Sequence, residues 1–184
     1  MPFEFIKLEI PDVILIKPKK FEDERGFFME LFKDQDIKNI INFNIVQINL
    51  SRSKYGVLRG LHFQKGKYAQ AKIVTCIKGI IFDVAVDLRK NSPTFGKWIG
   101  YILSEYNRYM LYVPRGFAHG FLVLSDFAEV LYFVDNIYSP KDEGGLIWND
   151  KDVNINWPID NPILSEKDKK WPTLKELIEK GELF

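Results

Sequence analysis

The stretch QAKIVTCIKGIIFDVAVD, residues 70–87, decides the fold class. Two runs rich in β-branched and aliphatic residues, Gln70–Ile77 and Ile80–Asp87, flank Lys78-Gly79, a pair suited to a tight hairpin turn. In the second run Phe82, Val84 and Val86 alternate with Asp83, Ala85 and Asp87, the period of two that marks a strand. The same pattern continues outward in both directions. Upstream, Val13–Lys17, Gly26–Phe32, Ile45–Arg52 and Val57–Gln64 read as strands, the second of them after a charged turn at Glu22-Asp23-Glu24-Arg25. Pro2–Ile10 reads as an edge strand. Downstream come Lys97–Leu103, Tyr109–Val113, Phe117–Leu124 and Glu129–Asn136. About ten strands at roughly 8–12-residue spacing, with no helix-length pattern between them, predict an all-β, antiparallel sandwich or barrel.

From about residue 139 the chain reads as irregular, with Pro140, Pro158, Pro162 and Pro172 interrupting it. A short C-terminal helix follows. Thr173-Leu174-Lys175-Glu176 has the capping-box pattern, Leu174, Leu177 and Ile178 supply an apolar stripe, and Gly181 stops the helix. Asp34–Ile41 is a short helix or a turn. The length of 184 residues predicts a single domain spanning 1–184.

Composition narrows the function. Hydrophobic residues make up 46% and charged residues 28%, enough apolar surface for a packed core. Twenty-six Lys and Arg against 25 Asp and Glu leave a net charge of +1, so no global field draws the chain to nucleic acid or an anionic membrane. Its apolar runs are too short to span a bilayer, and Glu4, Lys7 and Glu9 break any signal-peptide pattern. One cysteine, Cys76, excludes an internal disulfide framework and any paired-cysteine zinc site, and points to a reducing cytoplasm. Two histidines, His62 and His119, cannot supply a three-imidazole metal site. The sequence has no Walker loop, no Gly-x-Gly-x-x-Gly fingerprint and no Gly-x-Ser-x-Gly elbow.

Both histidines follow an Arg-Gly pair, in Arg59-Gly60-Leu61-His62 and Arg115-Gly116-Phe117-Ala118-His119. A single strand histidine is more often a core or surface residue than a catalyst; the repeated setting weakens that reading. Arg25, Arg59 and Arg115 each precede a glycine, which suits either a solvated turn or a grip on phosphate with close backbone approach. Gln47, Asn49 and Ser51 share one face of a strand whose other face is Val46, Ile48 and Leu50. The polar face is either the solvated side of a sheet or the wall of a ligand-holding barrel. Arg59 and His62 differ by an odd number, which places them on opposite faces unless Gly60 marks a bulge or one of them acts at the strand's mouth. Cys76 reads as a small buried hydrophobe.

Several stretches taken together resemble the dTDP-4-dehydrorhamnose 3,5-epimerase family of the cupin class. They are Asp23–Phe28 (DERGFF), Gln47–Ser51 (QINLS), Gly56–Gln64 (GVLRGLHFQ), Gln70-Ala71-Lys72, Val113–Phe121 (VPRGFAHGF), Leu131-Tyr132, Tyr138-Ser139-Pro140, Ile147–Asp150 (IWND) and Leu164–Asp168 (LSEKD). The resemblance covers roughly residues 3–172, and its two histidine motifs in this order form a specific signature. It implies a jelly-roll β-barrel (cupin-like), a homodimer, a nucleotide-sugar substrate, and neither metal nor organic cofactor.

It also implies roles. A keto group at carbon 4 acidifies the hydrogens at carbons 3 and 5, and inversion needs a base on one face and an acid on the other. His62 matches the base; an imidazole, with an ordinary pKa of about 6.5, suits proton abstraction near neutrality. Asp168 matches its orienting carboxylate, Tyr132 the acid, and Lys72 the group that stabilises the enolate. His119 matches a residue lining the sugar pocket. Arg59 and Arg25 match the diphosphate contacts, the second supplied by the partner subunit. Glu30, Gln47, Asn49, Glu143 and Lys167 match positions that contact the nucleotide or shape its pocket, and Tyr138 and Phe27 match aromatic positions able to stack on thymine. The implied reaction converts dTDP-4-dehydro-6-deoxy-D-glucose to dTDP-4-dehydro-L-rhamnose. Alternatives are inversion at carbon 3 alone, a ketoisomerase of the same barrel type, and a nucleotide-sugar-binding barrel without turnover.

Overall fold

The computed structural model describes residues 2–184. Strands come first: β1 (Phe3–Lys7), β2 (Ile14–Pro18), β3 (Lys20–Asp23) and β4 (Gly26–Met29), then the helical turn α1 (Asp34–Lys38). There follow β5 (Gln47–Lys54), β6 (Leu58–Gln64), β7 (Lys72–Lys78), β8 (Ile80–Asp87), β9 (Trp98–Ser104), β10 (Met110–Val113), β11 (Phe117–Val123), β12 (Phe127–Val134) and β13 (Glu143–Gly145). The last element is α2 (Leu174–Lys180).

The strands form an antiparallel jelly roll. A six-stranded sheet runs β1-β2-β10-β7-β12-β5 and faces a five-stranded sheet running β13-β6-β11-β8-β9. The hairpin expected at residues 70–87 does not form: both strands are present, but β7 joins the first sheet and β8 the second, and the turn with Gly79 at φ 80° carries the chain from one sheet to the other. A Cβ there would lie 2.1 Å from the Phe127 carbonyl oxygen, so only glycine fits the turn.

Side-chain alternation builds three apolar layers. Between the sheets lie Leu15, Val74, Cys76, Ile81, Ala85, Leu111, Phe121 and Val130. Outside the larger sheet, Ile14, Ile16, Ile73 and Phe133 are covered by Ile37, Ile41 and Phe43 from α1 and the segment after it. Outside the smaller sheet, Leu61, Phe63, Val84 and Val86 are covered by Leu146, Val153 and the α2 residues Leu174 and Leu177. The C-terminal tail is irregular because it serves as a cover, and its one strand, β13, pairs with β6.

Other expectations change as well. The segment 20–29 forms a free-standing hairpin, β3 with β4, so the charged turn begins two residues later than expected and the strand at Gly26 stops at Met29. Phe32 does not continue that strand. It turns inward to stack on Phe133, with ring centres 6.2 Å apart, and packs beside Phe43. The N-terminal strand β1 pairs with β2 of its own chain. Helix α2 matches its expected signals: Thr173 Oγ1 accepts from the Glu176 amide, the Glu176 carboxylate accepts from the Thr173 amide, and Gly181 closes the helix at φ 66°.

Candidate active site

Along the inner faces of the strands, apolar residues give way to polar ones at one end of the barrel. On β7 the inward series is Cys76, Val74, Lys72; on β12 it is Val130 and Tyr132; on β11 it is Val123, Phe121 and His119. Strand β5 completes the wall and reverses the usual rule. Its apolar residues Ile48 and Leu50, and Val46 just ahead of it, are 53%, 61% and 53% exposed on the outside. Its polar residues face inward: Asn49 lines the cavity, Ser51 Oγ lies 2.8 Å from Tyr132 Oη, and Ser53 Oγ accepts from Arg59 Nε at 2.8 Å.

The cavity so formed has a volume of about 210 Å³. Of the residues given a role from the sequence, Asn49, Arg59, His62, Lys72, His119, Tyr132, Tyr138 and Glu143 line it. Phe63, Gln64, Gln70, Phe121 and Val134 also line it, and the sequence assigns none of them a role.

The β6–β11 register resolves the parity of Arg59 and His62. His62 opposes His119 and Arg59 opposes Phe121, so three steps along β6 match two along β11. The extra residue is a bulge, and it turns both side chains into the cavity. The backbones touch there. A Cβ on Gly120 would lie 2.7 Å from the Arg59 carbonyl oxygen, and one on Gly60 would lie 2.6 Å from the Gly120 Cα.

Asp168 comes from the irregular tail and is almost wholly buried beneath His62. His62 Nε2 and Asp168 Oδ1 are 2.6 Å apart. Trp171 Nε1 donates to the same oxygen at 3.0 Å, and the Gly60 amide donates to Oδ2 at 3.3 Å. Burial pushes the Asp168 carboxyl up, but these hydrogen bonds outweigh it and hold the group below the usual carboxylate range. An ionised carboxylate only accepts, so Nε2 of a neutral His62 carries its hydrogen and Nδ1 keeps a lone pair.

A second pair faces the first. His119 Nε2 lies 2.8 Å from Asp83 Oδ1, and Asp83 is 0% exposed, its Oδ2 lacking a hydrogen-bond partner among the described residues. The sequence carried a signal for it: Asp83 sits on the same face as the core residues Ile81 and Ala85. Burial pushes the Lys72 ammonium down to about 8, against the opposing pull of the Asp83 and Glu143 carboxylates. Burial also pushes the Tyr132 phenol up to about 12, partly offset by the Ser51 hydrogen bond and the Arg59 charge.

At the rim, Lys167 Nζ pairs with Glu143 at 2.8 Å, Tyr138 Oη donates to Glu143 at 3.2 Å, and Gln47 Oε1 accepts from the Tyr138 amide at 3.2 Å. Gln47 Nε2 also donates to Asn49 at 2.7 Å, which ties the rim to the wall. Arg25 and Phe27 lie elsewhere, on the β3–β4 hairpin, with Glu30 just beyond it. The Arg25 side chain is 85% exposed and pairs with Asp23.

The model of the dTDP-4-dehydrorhamnose 3,5-epimerase family matches residues 7–176. The chain belongs to that family. It is 55% identical to the dTDP-4-dehydrorhamnose 3,5-epimerase of Shigella flexneri over 89% of this chain and 91% of that one. The crystal structure of the 3,5-epimerase from Elizabethkingia anophelis superposes with a TM-score of 0.91 at 49% identity, covering 96% of this chain and 98% of that one. The dTDP-6-deoxy-D-glucose-3,5-epimerase of Legionella pneumophila, solved in complex with dTDP-4-keto-L-rhamnose, superposes with a TM-score of 0.93 at 42% identity, covering 98% and 97%. The cavity of this epimerase-family barrel lies among the residues that carry the family motifs.

Proposed function

We propose that this protein inverts carbons 3 and 5 of dTDP-4-dehydro-6-deoxy-D-glucose, giving dTDP-4-dehydro-L-rhamnose. The observation that carries the reading is the convergence of His62, Lys72 and Tyr132, from three different strands, on one cavity in a chain of this family. Nδ1 of His62 takes the proton from a carbon beside the keto group, and the electron pair moves to the carbon-4 oxygen. Asp168 holds the ring and stabilises the imidazolium that forms. The Lys72 ammonium lies where it can neutralise the enolate oxygen. The Tyr132 hydroxyl returns a proton from the opposite face, leaving a phenolate. Exchange with water resets both groups, and the cycle repeats at the other carbon.

Arg59, braced by Ser53, is assigned to the diphosphate, with His119 beside it in the sugar pocket. Tyr138, Gln47, Asn49, Glu143 and Lys167 are assigned to the nucleoside end. Arg25, Phe27 and Glu30 are assigned to the cavity of a second copy in a homodimer. Supporting this, the hairpin that carries the first two exposes Phe21, Phe27 and Phe28, and β5 is a sheet edge with an exposed apolar face. No helix among the described residues is long and apolar enough to cross a membrane; a cytoplasmic site of action agrees with the single reduced cysteine.

Incubation with the substrate in deuterated buffer, followed by NMR of the sugar, tests the reading. Deuterium at carbons 3 and 5, with the L-configured product trapped by a reductase, is the expected result. Deuterium at carbon 3 alone would make the protein a single epimerase. Tight nucleotide binding with no exchange would leave a binding barrel.

A further inference from the structure

We propose that Ser51 is a positioning residue for proton return: its hydroxyl donates to Tyr132 Oη and so turns the phenolic hydrogen toward the substrate. This rests on the acid role given to Tyr132 above. Strands β5 and β12 pair antiparallel with Ser51 opposite Val130 and Asn49 opposite Tyr132. Ser51 and Tyr132 are therefore diagonal neighbours on one face, within reach of each other. Their oxygens lie 2.8 Å apart, and among the described residues neither side chain has another hydrogen-bond partner.

Each hydroxyl carries one hydrogen, so the pair has two arrangements. If Tyr132 donates, its proton points at the strand wall and is lost to catalysis. If Ser51 donates, the phenolic O–H is free to face the cavity. Only the second arrangement survives proton transfer. Once the Tyr132 O–H bond breaks and its proton forms the new C–H bond, the oxygen is a phenolate that can only accept. Burial opposes that charge and the Ser51 hydrogen bond favours it. Ser53, two residues on along the same face, holds Arg59 at 2.8 Å, so the inner edge of β5 braces both the acid and the candidate diphosphate ligand.

The separating measurement is solvent exchange against inversion. His62 can remove a proton and return deuterium to the same face without help from Tyr132, so exchange with retention reports the base alone. In Ser51→Ala, inversion should fall by about tenfold to a hundredfold, the effect of losing a hydrogen bond to a charged oxygen, while exchange stays within about threefold of wild type. Ser51→Thr should restore inversion. In Tyr132→Phe inversion should be lost, and adding Ser51→Ala should cost nothing more. Should Ser51→Ala not fold, Ser51→Cys keeps the volume, weakens the donor and carries the same expectation. Normal inversion in the Ser51 variants, or exchange and inversion falling together, would overturn the role of Ser51. Normal inversion in Tyr132→Phe would instead overturn the acid role on which it rests.

Discussion

An ionised carboxylate accepts hydrogen bonds and cannot donate them, so the 2.6 Å contact with Asp168 dictates which nitrogen of His62 is free to act. Asp168→Asn keeps the shape but offers an amide that can donate, which permits the wrong tautomer. We expect kcat to fall by about 10²–10⁴-fold with KM little changed, in steady-state kinetics of the purified variant. If Lys72 neutralises the enolate as proposed, it sets the alkaline side of the pH profile. Burial disfavours its ammonium, so it loses its proton near pH 8 rather than above 10. The protonated form is the one that neutralises an enolate, so kcat should decline as pH rises through about 8. Lys72→Arg keeps its charge over the whole accessible range. A pH–rate profile of that variant should show lower kcat and no decline near pH 8. An unchanged alkaline limb would mean another group sets it.

At the scale of elements, the β6 bulge is what brings Arg59 and His62 to one face. It exists beside Gly120, where a Cβ would strike the Arg59 carbonyl oxygen at 2.7 Å and Leu61 Cδ2 at 2.8 Å. Gly120→Ala should therefore push β6 away from β11, cost about 1–3 kcal/mol of stability in denaturant titration, and reduce kcat by displacing both residues. Helix α2 gives a contrasting case. Thr173→Ala removes one half of a capping box on an exposed helix end. It should cost about 1 kcal/mol in thermal unfolding and leave kcat unchanged if α2 serves only as a cover over Leu61 and Phe63.

Across the whole molecule, the six-stranded sheet ends in β5, an edge strand whose outer face carries Ile48 and Leu50, with Val46 just ahead of them. An apolar edge of this kind invites pairing and is normally covered. If a second copy covers it, Ile48→Asp should shift the mass measured by light scattering from dimer to monomer. Arg25 should then matter only in the assembled form. Arg25→Ala should raise KM with little change in kcat, because its assigned contact is to the diphosphate and not to the reacting carbons.

Alternation and turn residues were legible in the chain itself, since they depend only on local sterics and the period of two. Residues 70–87 show two strands and the turn between them, though not that the strands part into different sheets; 173–181 show their cap and stop, and the two Arg-Gly pairs ahead of His62 and His119 mark the positions of the imidazoles. Local pattern could not say which face of β5 points inward. Polar residues normally mark the solvated side, and here Asn49, Ser51 and Ser53 face the interior because a polar cavity lies behind them. Nor could it show that Asp168, 106 positions from His62, closes beneath the imidazole, or that Asp83 does the same for His119. The extent of the free-standing hairpin and the inward turn of Phe32 were equally hidden. Each of these depends on contacts between residues far apart in the chain, and such contacts exist only once two sheets have met and enclosed a common interior.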